Sequence, residues 1–198
     1  MHSLPLWLGL SFVASLVEAA TEYLHNADFE NTSFNGSWVC EDCIMTSYSA
    51  DVYHGSKSIK VINRQYNWSS PQDNVHVPPG HNYVARMYFK LLDMPHNVTT
   101  VEVDLMAAVN THGKIHGINV AVLPYQELRY GWTEISGDFF VPAGTTSVKL
   151  FLQVTEPSVD YLLDDCSLQQ LPHIQHWHSD AVSRISNIRK TSVSLRYQ

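Results

Sequence analysis

From residue 21 onward the apolar positions of this chain recur with a period of two. In Ser147–Thr155, Val148, Leu150, Leu152 and Val154 fall on one side, and Lys149, Phe151 and Gln153 on the other. Val101, Val103 and Leu105 alternate with Glu102 and Asp104. Tyr83, Ala85, Met87 and Phe89 alternate with Val84, Arg86, Tyr88 and Lys90. Such alternation predicts strands that bury one face. Ser58–Ile62 reads as a further strand, and His112–His116 as a loop. Turn chemistry separates the runs at Tyr53-His54-Gly55-Ser56, Val77-Pro78-Pro79-Gly80 and Val141-Pro142-Ala143-Gly144. No long 3.6-residue apolar stripe precedes Leu171. Short strands in succession without intervening helices imply an all-β, antiparallel sandwich or barrel.

The two ends of the chain depart from this pattern. Leu4–Val17 is almost wholly apolar, shorter than the ~20 residues of a membrane span, and is followed by Val17-Glu18-Ala19. It predicts a signal peptide over 1–19, cleaved after Ala19, and hence a secreted, extracellular protein. No later stretch is long and apolar enough to span a bilayer. Four N-x-S/T sequons, at Asn31, Asn35, Asn67 and Asn97, agree with export. In an oxidising compartment two of the three cysteines should pair, either Cys40 with Cys43 or Cys166 with one of them. After Leu171 the chain turns polar and aromatic, then helical over Asp180–Lys190. Residues 20–171 are therefore expected to form the module, and 172–198 a linker and the start of something further.

Length and charge narrow the function. The chain has 198 residues, suited to one domain and short of the ~250 that a (β/α)₈ enzyme needs. Twelve Lys and Arg against 19 Asp and Glu, a net charge of −7, argue against a nucleic-acid partner. Nothing points to an oligomer, and a monomer is expected. The carboxylate pair Glu102 and Asp104 does not suggest a glycosidase, whose acid and nucleophile face each other across a cleft. Two groups at i and i+2 on one exposed strand face read instead as solvated strand charge. Trp38 and Trp132 are expected in the core.

Several motifs together resemble carbohydrate-binding modules of the families numbered four, nine and twenty-two, which bind cellulose and xylan. They are His25-Asn26-Ala27-Asp28-Phe29-Glu30, Trp38, Tyr53-His54-Gly55-Ser56-Lys57-Ser58, Pro79-Gly80-His81-Asn82-Tyr83, Gly131-Trp132-Thr133-Glu134 and Tyr161–Leu168. The resemblance covers about residues 22–171 and implies a galactose-binding-like jelly roll with a polysaccharide ligand. The tail from Trp177 to Lys190 is similar to the segment joining such modules to family ten glycoside hydrolases in animal sequences. The chain ends before a catalytic barrel, so the resemblance implies the binding module of a xylanase-like protein, tethered to a hydrolase, and does not itself imply that this chain hydrolyses anything. Two alternatives are a jelly roll that recognises protein or glycoprotein, and the N-terminal fragment of an active endo-xylanase.

Sugar binding needs aromatic faces for the pyranose ring and planar polar groups for its hydroxyls. Asn63–Asp73 offers both. The resemblance implies that Trp68 contacts the ligand, with Asn63 and Arg64 as polar partners and Tyr66 as an alternative platform. Arg86 and Tyr88, on the polar face of their strand, are candidates to complete the cleft. The resemblance adds Gln153, where related modules often carry Glu. A further expectation concerns metal. In the last strand Leu162, Asp164, Cys166 and Leu168 share a face by period two, and a carboxylate there is costly unless paired or coordinated. Glu30 is expected in a first strand beside it. With carbonyls of the Tyr53–Ser58 turn, these two would hold a structural Ca²⁺, as the resemblance also implies. Asp28, Asp51 and Lys57 are the lesser candidates.

Overall fold

The computed structural model describes residues 20–31 and 37–172. The predicted signal peptide, the sequon at Asn35 and all of the tail after Pro172 lie outside the described residues. Ten strands follow in chain order: β1 (Trp38–Cys40), β2 (Ile44–Tyr48), β3 (Ser58–Ile62), β4 (Pro71–Val75), β5 (His81–Asp93), β6 (Val101–Thr111), β7 (Lys114–Gln126), β8 (Thr133–Val141), β9 (Thr145–Val154) and β10 (Asp160–Gln170). Sheet I runs β2-β3-β10-β5-β8 and sheet II β1-β4-β9-β6-β7, with antiparallel pairing throughout. The architecture is the expected jelly-roll sandwich.

Alternation builds the core. Tyr83, Ala85, Met87 and Phe89 of β5 are buried, and Val148, Leu150, Leu152 and Val154 of β9 face them from the other sheet. Val103, Leu105 and Ala107 of β6 complete the layer. Each such aliphatic side chain contributes roughly 1.5–3 kcal/mol on burial. Trp38 belongs to this core, as expected, and donates Nε1–H to the His25 carbonyl at 2.6 Å.

Four expectations are corrected. Trp132 is half-buried on the outside of sheet I, where its ring nitrogen donates to Asp51. His112-Gly113 is the tip of a hairpin, with both residues at positive φ (52° and 79°), and Lys114 already belongs to β7. That geometry suits a tight two-residue turn. The strand escapes a reading by alternation because β7 is an edge strand with few buried positions. Asp104, read as solvated, is 5 % exposed. Finally, period two fails in β10. Leu162 and Asp164 pair with Lys90 and Tyr88 on the outer face, whereas Leu168 pairs with the core residue Ala85. The register shifts between Asp164 and Ser167, and Asp165 sits at φ 42°. An inserted bulge residue flips the following side chains to the other face.

Candidate functional site

The turn from Asn63 to Ser70 leads from β3 into β4, and one side chain organises it. Arg64 is 7 % exposed, and every guanidinium nitrogen donates to a backbone carbonyl. Nε reaches Ser69 at 2.8 Å, Nη1 reaches Glu156 and Val159, and Nη2 reaches Asn67 at 2.7 Å and Val154 at 2.9 Å. A buried cation so surrounded is tolerated because its fork of donors meets carbonyl dipoles. Desolvation pulls its pKa below the ordinary arginine value. Arg64 therefore shapes the loop and is not the outward-facing ligand contact the sequence suggested. Asn63 lies outside, exposed, at φ 54°, a conformation asparagine tolerates better than most residues.

The loop presents Tyr66 and Trp68 as a parallel stack, 5.0 Å between centroids and 6° between planes, both well exposed. It is fastened to the end of β9, where the Val154 N–H donates to the Asn67 carbonyl at 3.0 Å. Half-buried Asn67 is thus a sequon at the foot of the aromatic platform.

Gln153 is the neighbouring residue, and it points to the outer face of sheet II. Cross-strand pairing gives that face four rows: Gln153–Asp104–Val122, Phe151–Met106–Asn119, Lys149–Ala108–Gly117 and Ser147–Asn110–Ile115. Small residues in the third row keep the middle low. At the two ends of this β6 track, Asp104 Oδ1 and Asn110 Oδ1 are enclosed and have no hydrogen-bond partner among the described residues. Six strand residues separate them, roughly 20 Å. Burial first, and the Glu102 charge second, push the Asp104 carboxyl above its ordinary pKa. An enclosed acceptor without a donor costs about 1–3 kcal/mol, a penalty that would be removed only if the side chain turned that oxygen outward to a ligand hydroxyl.

Arg86 and Tyr88, expected in the same cleft, lie on the outer face of sheet I, across the sandwich from Gln153. There Tyr53 stacks on Tyr88 (3.7 Å, 13°), Trp132 tilts against Tyr53 (6.0 Å, 58°), and Arg86 lies over the Tyr88 ring at 5.6 Å. The Tyr88 hydroxyl donates to Glu134, which also accepts from Ser136. The structure therefore divides the predicted sugar contacts between two faces. Nothing local in the sequence marks Tyr53, Asp104 or Trp132 as candidates for these faces. Trp132 was misplaced by its hydrophobicity, and Asp104 by the usual exposure of carboxylates.

The candidate metal ligands gather around the Tyr53–Ser58 turn. Glu30 lies in a loop, not in a strand; the chain pairs with β10 earlier, at Glu22 and Gln169. Its Oε1 accepts from the Ser56 and Lys57 N–H groups at 2.7 and 3.0 Å, and its Oε2 from the Ser56 hydroxyl. These bonds, the Ser56 hydroxyl foremost, hold the Glu30 carboxyl down at about 2. Gly55, at φ 73°, is required because a Cβ would collide with that carboxylate. Asp164 is fully buried and accepts from the Tyr53, His54 and Asp165 N–H groups at 2.8, 3.1 and 2.7 Å. Burial outweighs these bonds and raises its pKa. Two carboxylates thus grip opposite ends of one turn, through its N–H groups and not its carbonyls. Asp51 is drawn away to Lys90 (2.6 Å) and Trp132 (2.8 Å). The Lys57 ammonium binds the Glu30 carbonyl at 2.6 Å, and Asp28 accepts from the Glu30 N–H. Among the described residues no three His, Cys, Asp or Glu side chains cluster as a metal site. Cys40 and Cys43 form the local disulfide, leaving Cys166 free and buried.

The profile of the carbohydrate binding domain family CBM_4_9 matches residues 21–159. The chain belongs to this family. No curated protein matches it. Among solved structures, the domain is similar to the CBM22-1 xylan-binding domain of Paenibacillus barcinonensis Xyn10C. That match has 18 % identity, 77 % of this chain, 96 % of that one and a TM-score of 0.62. The C-terminal family 22 module of Clostridium thermocellum Xyn10B matches at 13 %, 78 %, 95 % and 0.62. The CBM22-1-GH10 modules of Clostridium thermocellum Xyn10B, solved with xylohexaose, match at 17 % over 78 % of this chain and 29 % of that chain, with a TM-score of 0.63. At these identities the likeness is one of fold. Among the described residues no helix is long and apolar enough to cross a membrane.

Proposed function

We propose that the outer face of sheet II binds a β-1,4-linked polysaccharide, xylan before cellulose or mixed-linkage β-glucan. The observation that carries this is the pair of enclosed, partnerless acceptors, Asp104 Oδ1 and Asn110 Oδ1, on the sheet face at whose end Tyr66 and Trp68 stand. Rings of the glycan stack on the aromatic platform, and its hydroxyls donate to Gln153 and, once their side chains turn outward, to Asp104 and Asn110. The choice of xylan rests on what the similar structures are said to bind. A second proposal is that the domain works outside the cell and holds a hydrolase against its substrate by raising effective concentration. The local disulfide and the sequons support export.

Affinity electrophoresis of the purified protein through gels containing soluble xylan or β-glucan tests the first proposal. Xylan should retard the protein, and Trp68→Ala should weaken binding by about 2 kcal/mol, roughly thirtyfold. Unchanged retardation of that variant would move the site elsewhere. No retardation by any glycan would favour recognition of protein instead.

We also propose a structural calcium ion at the Tyr53–Ser58 turn. Glu30 and Asp164 flank the turn, and among the described residues neither carboxylate forms a side-chain ion pair, although the Lys57 charge acts on Glu30 from its hydrogen bond to the Glu30 carbonyl; Asp164 is fully buried. When bound, the ion would neutralise a buried charge and tie the N-terminal segment to β10. Calcium should raise Tm and EGTA lower it. A Tm indifferent to both, in a sample freed of metal beforehand, leaves the backbone N–H groups and the Ser56 hydroxyl as the support of these carboxylates.

A further inference from the structure

We infer that the outer face of sheet I carries a second saccharide-binding platform, independent of the face assigned above. Its centre is the corner made by the exposed ring of Tyr53 and the tilted ring of Trp132, 6.0 Å apart at 58°. Tyr53 is not free to rotate away, because its other side is stacked on Tyr88 at 3.7 Å. Tyr88 is itself held from beyond by the Arg86 guanidinium, and its hydroxyl is fixed on Glu134. Trp132 is locked by its hydrogen bond to Asp51, which Lys90 clamps in turn at 2.6 Å. The aromatic corner is therefore rigid before any ligand arrives, and rigid aromatic surface binds at low cost in conformational entropy.

The chemistry around the corner selects a neutral, hydroxyl-rich ring. A cation would gain only the attraction of the ring faces, because Glu134 is engaged by Tyr88 and Ser136 and Asp51 by Lys90 and Trp132, and the Arg86 and Lys90 charges beside the corner oppose it. A simple apolar partner would leave polar groups stranded. Among the described residues Arg86 Nε is enclosed with no acceptor, the rest of its side chain is part-exposed, and Asp165 lies 4.0 Å from Nη2. A sugar hydroxyl is an acceptor as well as a donor, so it answers both the exposed edge of the Arg86 guanidinium and the rim of Glu134 and Ser136. A pyranose stacked on Tyr53, with its edge against Trp132, meets these demands together.

The two faces point in opposite directions, with sheets about 10 Å apart between them. One polysaccharide chain would have to bend around the sandwich to reach both. The domain should therefore bridge two glycan chains, and its hold on a bulk polysaccharide should exceed that of either face alone.

Calorimetry with xylohexaose and cellohexaose tests this, using the wild type, Trp68→Ala, Tyr53→Ala and Trp132→Phe, each confirmed folded by its Tm. Retention on insoluble xylan and the viscosity of soluble xylan are measured alongside. The expected result is about two saccharides per chain, falling to about one in Trp68→Ala and in either sheet I variant. Retention should drop by about tenfold or more in each, and the viscosity increase should be lost. A single site unaffected by Tyr53→Ala and Trp132→Phe overturns this inference and leaves the sheet II assignment standing. A single site lost in Tyr53→Ala but kept in Trp68→Ala overturns the sheet II assignment and retains the platform described here. No binding of either probe by a folded wild type overturns both.

Discussion

The outer faces of the two sheets use aromatic and polar residues in opposite ways. On sheet I the polar groups are largely closed on one another: Tyr88 and Ser136 on Glu134, Lys90 and Trp132 on Asp51. On sheet II, Asp104 and Asn110 keep enclosed oxygens without partners, and the aromatic pair stands apart on a loop. The first arrangement gives a stiff platform in which Arg86 Nε is the enclosed atom left unpaired among the described residues. The second carries two such atoms, and a ligand could remove that penalty once those side chains turn outward. Unsatisfied groups in a folded domain are expensive, so their larger share on sheet II is more telling than the number of aromatic rings on either face.

The sharpest way to break this comparison is to unseat the sheet II platform from below. Arg64→Met removes a buried guanidinium that donates to carbonyls from Ser69, Glu156, Asn67 and Val154. It should cost about 3 kcal/mol or more in urea unfolding and weaken glycan binding through the Trp68 loop, while sheet I stays intact. A variant of unchanged stability would show that the loop is held by its backbone alone.

A smaller effect of opposite sign is expected at Asp104. Its folded pKa is raised by burial, so its neutral form is the one the fold favours. Stability from this group is fully present below the unfolded carboxylate pKa and is lost as pH rises through the folded value. Asp104→Asn should therefore raise Tm at neutral pH by a few degrees at most, with the gain vanishing in acid. The same change should weaken xylan binding, since it halves the acceptor capacity there. A stabilised variant that binds as well as the wild type would separate the penalty from the ligand.

Glu134 on sheet I should show the mirror image with the least amplitude. The Tyr88 hydroxyl first, and Ser136 second, lower its pKa. Its contribution is present above the unfolded carboxylate pKa and fades as pH falls through the folded one. Glu134→Gln should slightly lower Tm at neutral pH and leave it unchanged in acid. If both variants shift Tm in the same direction, the contrast between the faces is not electrostatic.

What could be read in the chain follows from how far each signal reaches. Alternation at Tyr83–Phe89, Val101–Leu105 and Val148–Val154 is a local consequence of the two-residue strand period, so it named the buried face of three strands correctly. The family motifs, in order along the chain, pointed to a carbohydrate-binding sandwich, and Trp68 with Tyr66 is indeed an exposed stack. The bulge at Asp165 was invisible because one residue at positive φ reverses every side chain after it.

Which residues share a face across strands was likewise beyond the sequence. Arg86 and Gln153 look equivalent as outward polar groups, yet strand order sends them to opposite sides of the molecule. Arg64 beside an aromatic loop reads as a ligand contact. Only tertiary packing, which surrounds it with carbonyls from the loop, from Val154 and from Glu156 and Val159, turns it into the loop's internal support. The sequence by itself determined the periodicity, and with it the fold class and the core. The tertiary structure decided which polar groups meet a partner and which are left waiting for one, because hydrogen bonding depends on distances between residues that the chain order does not set.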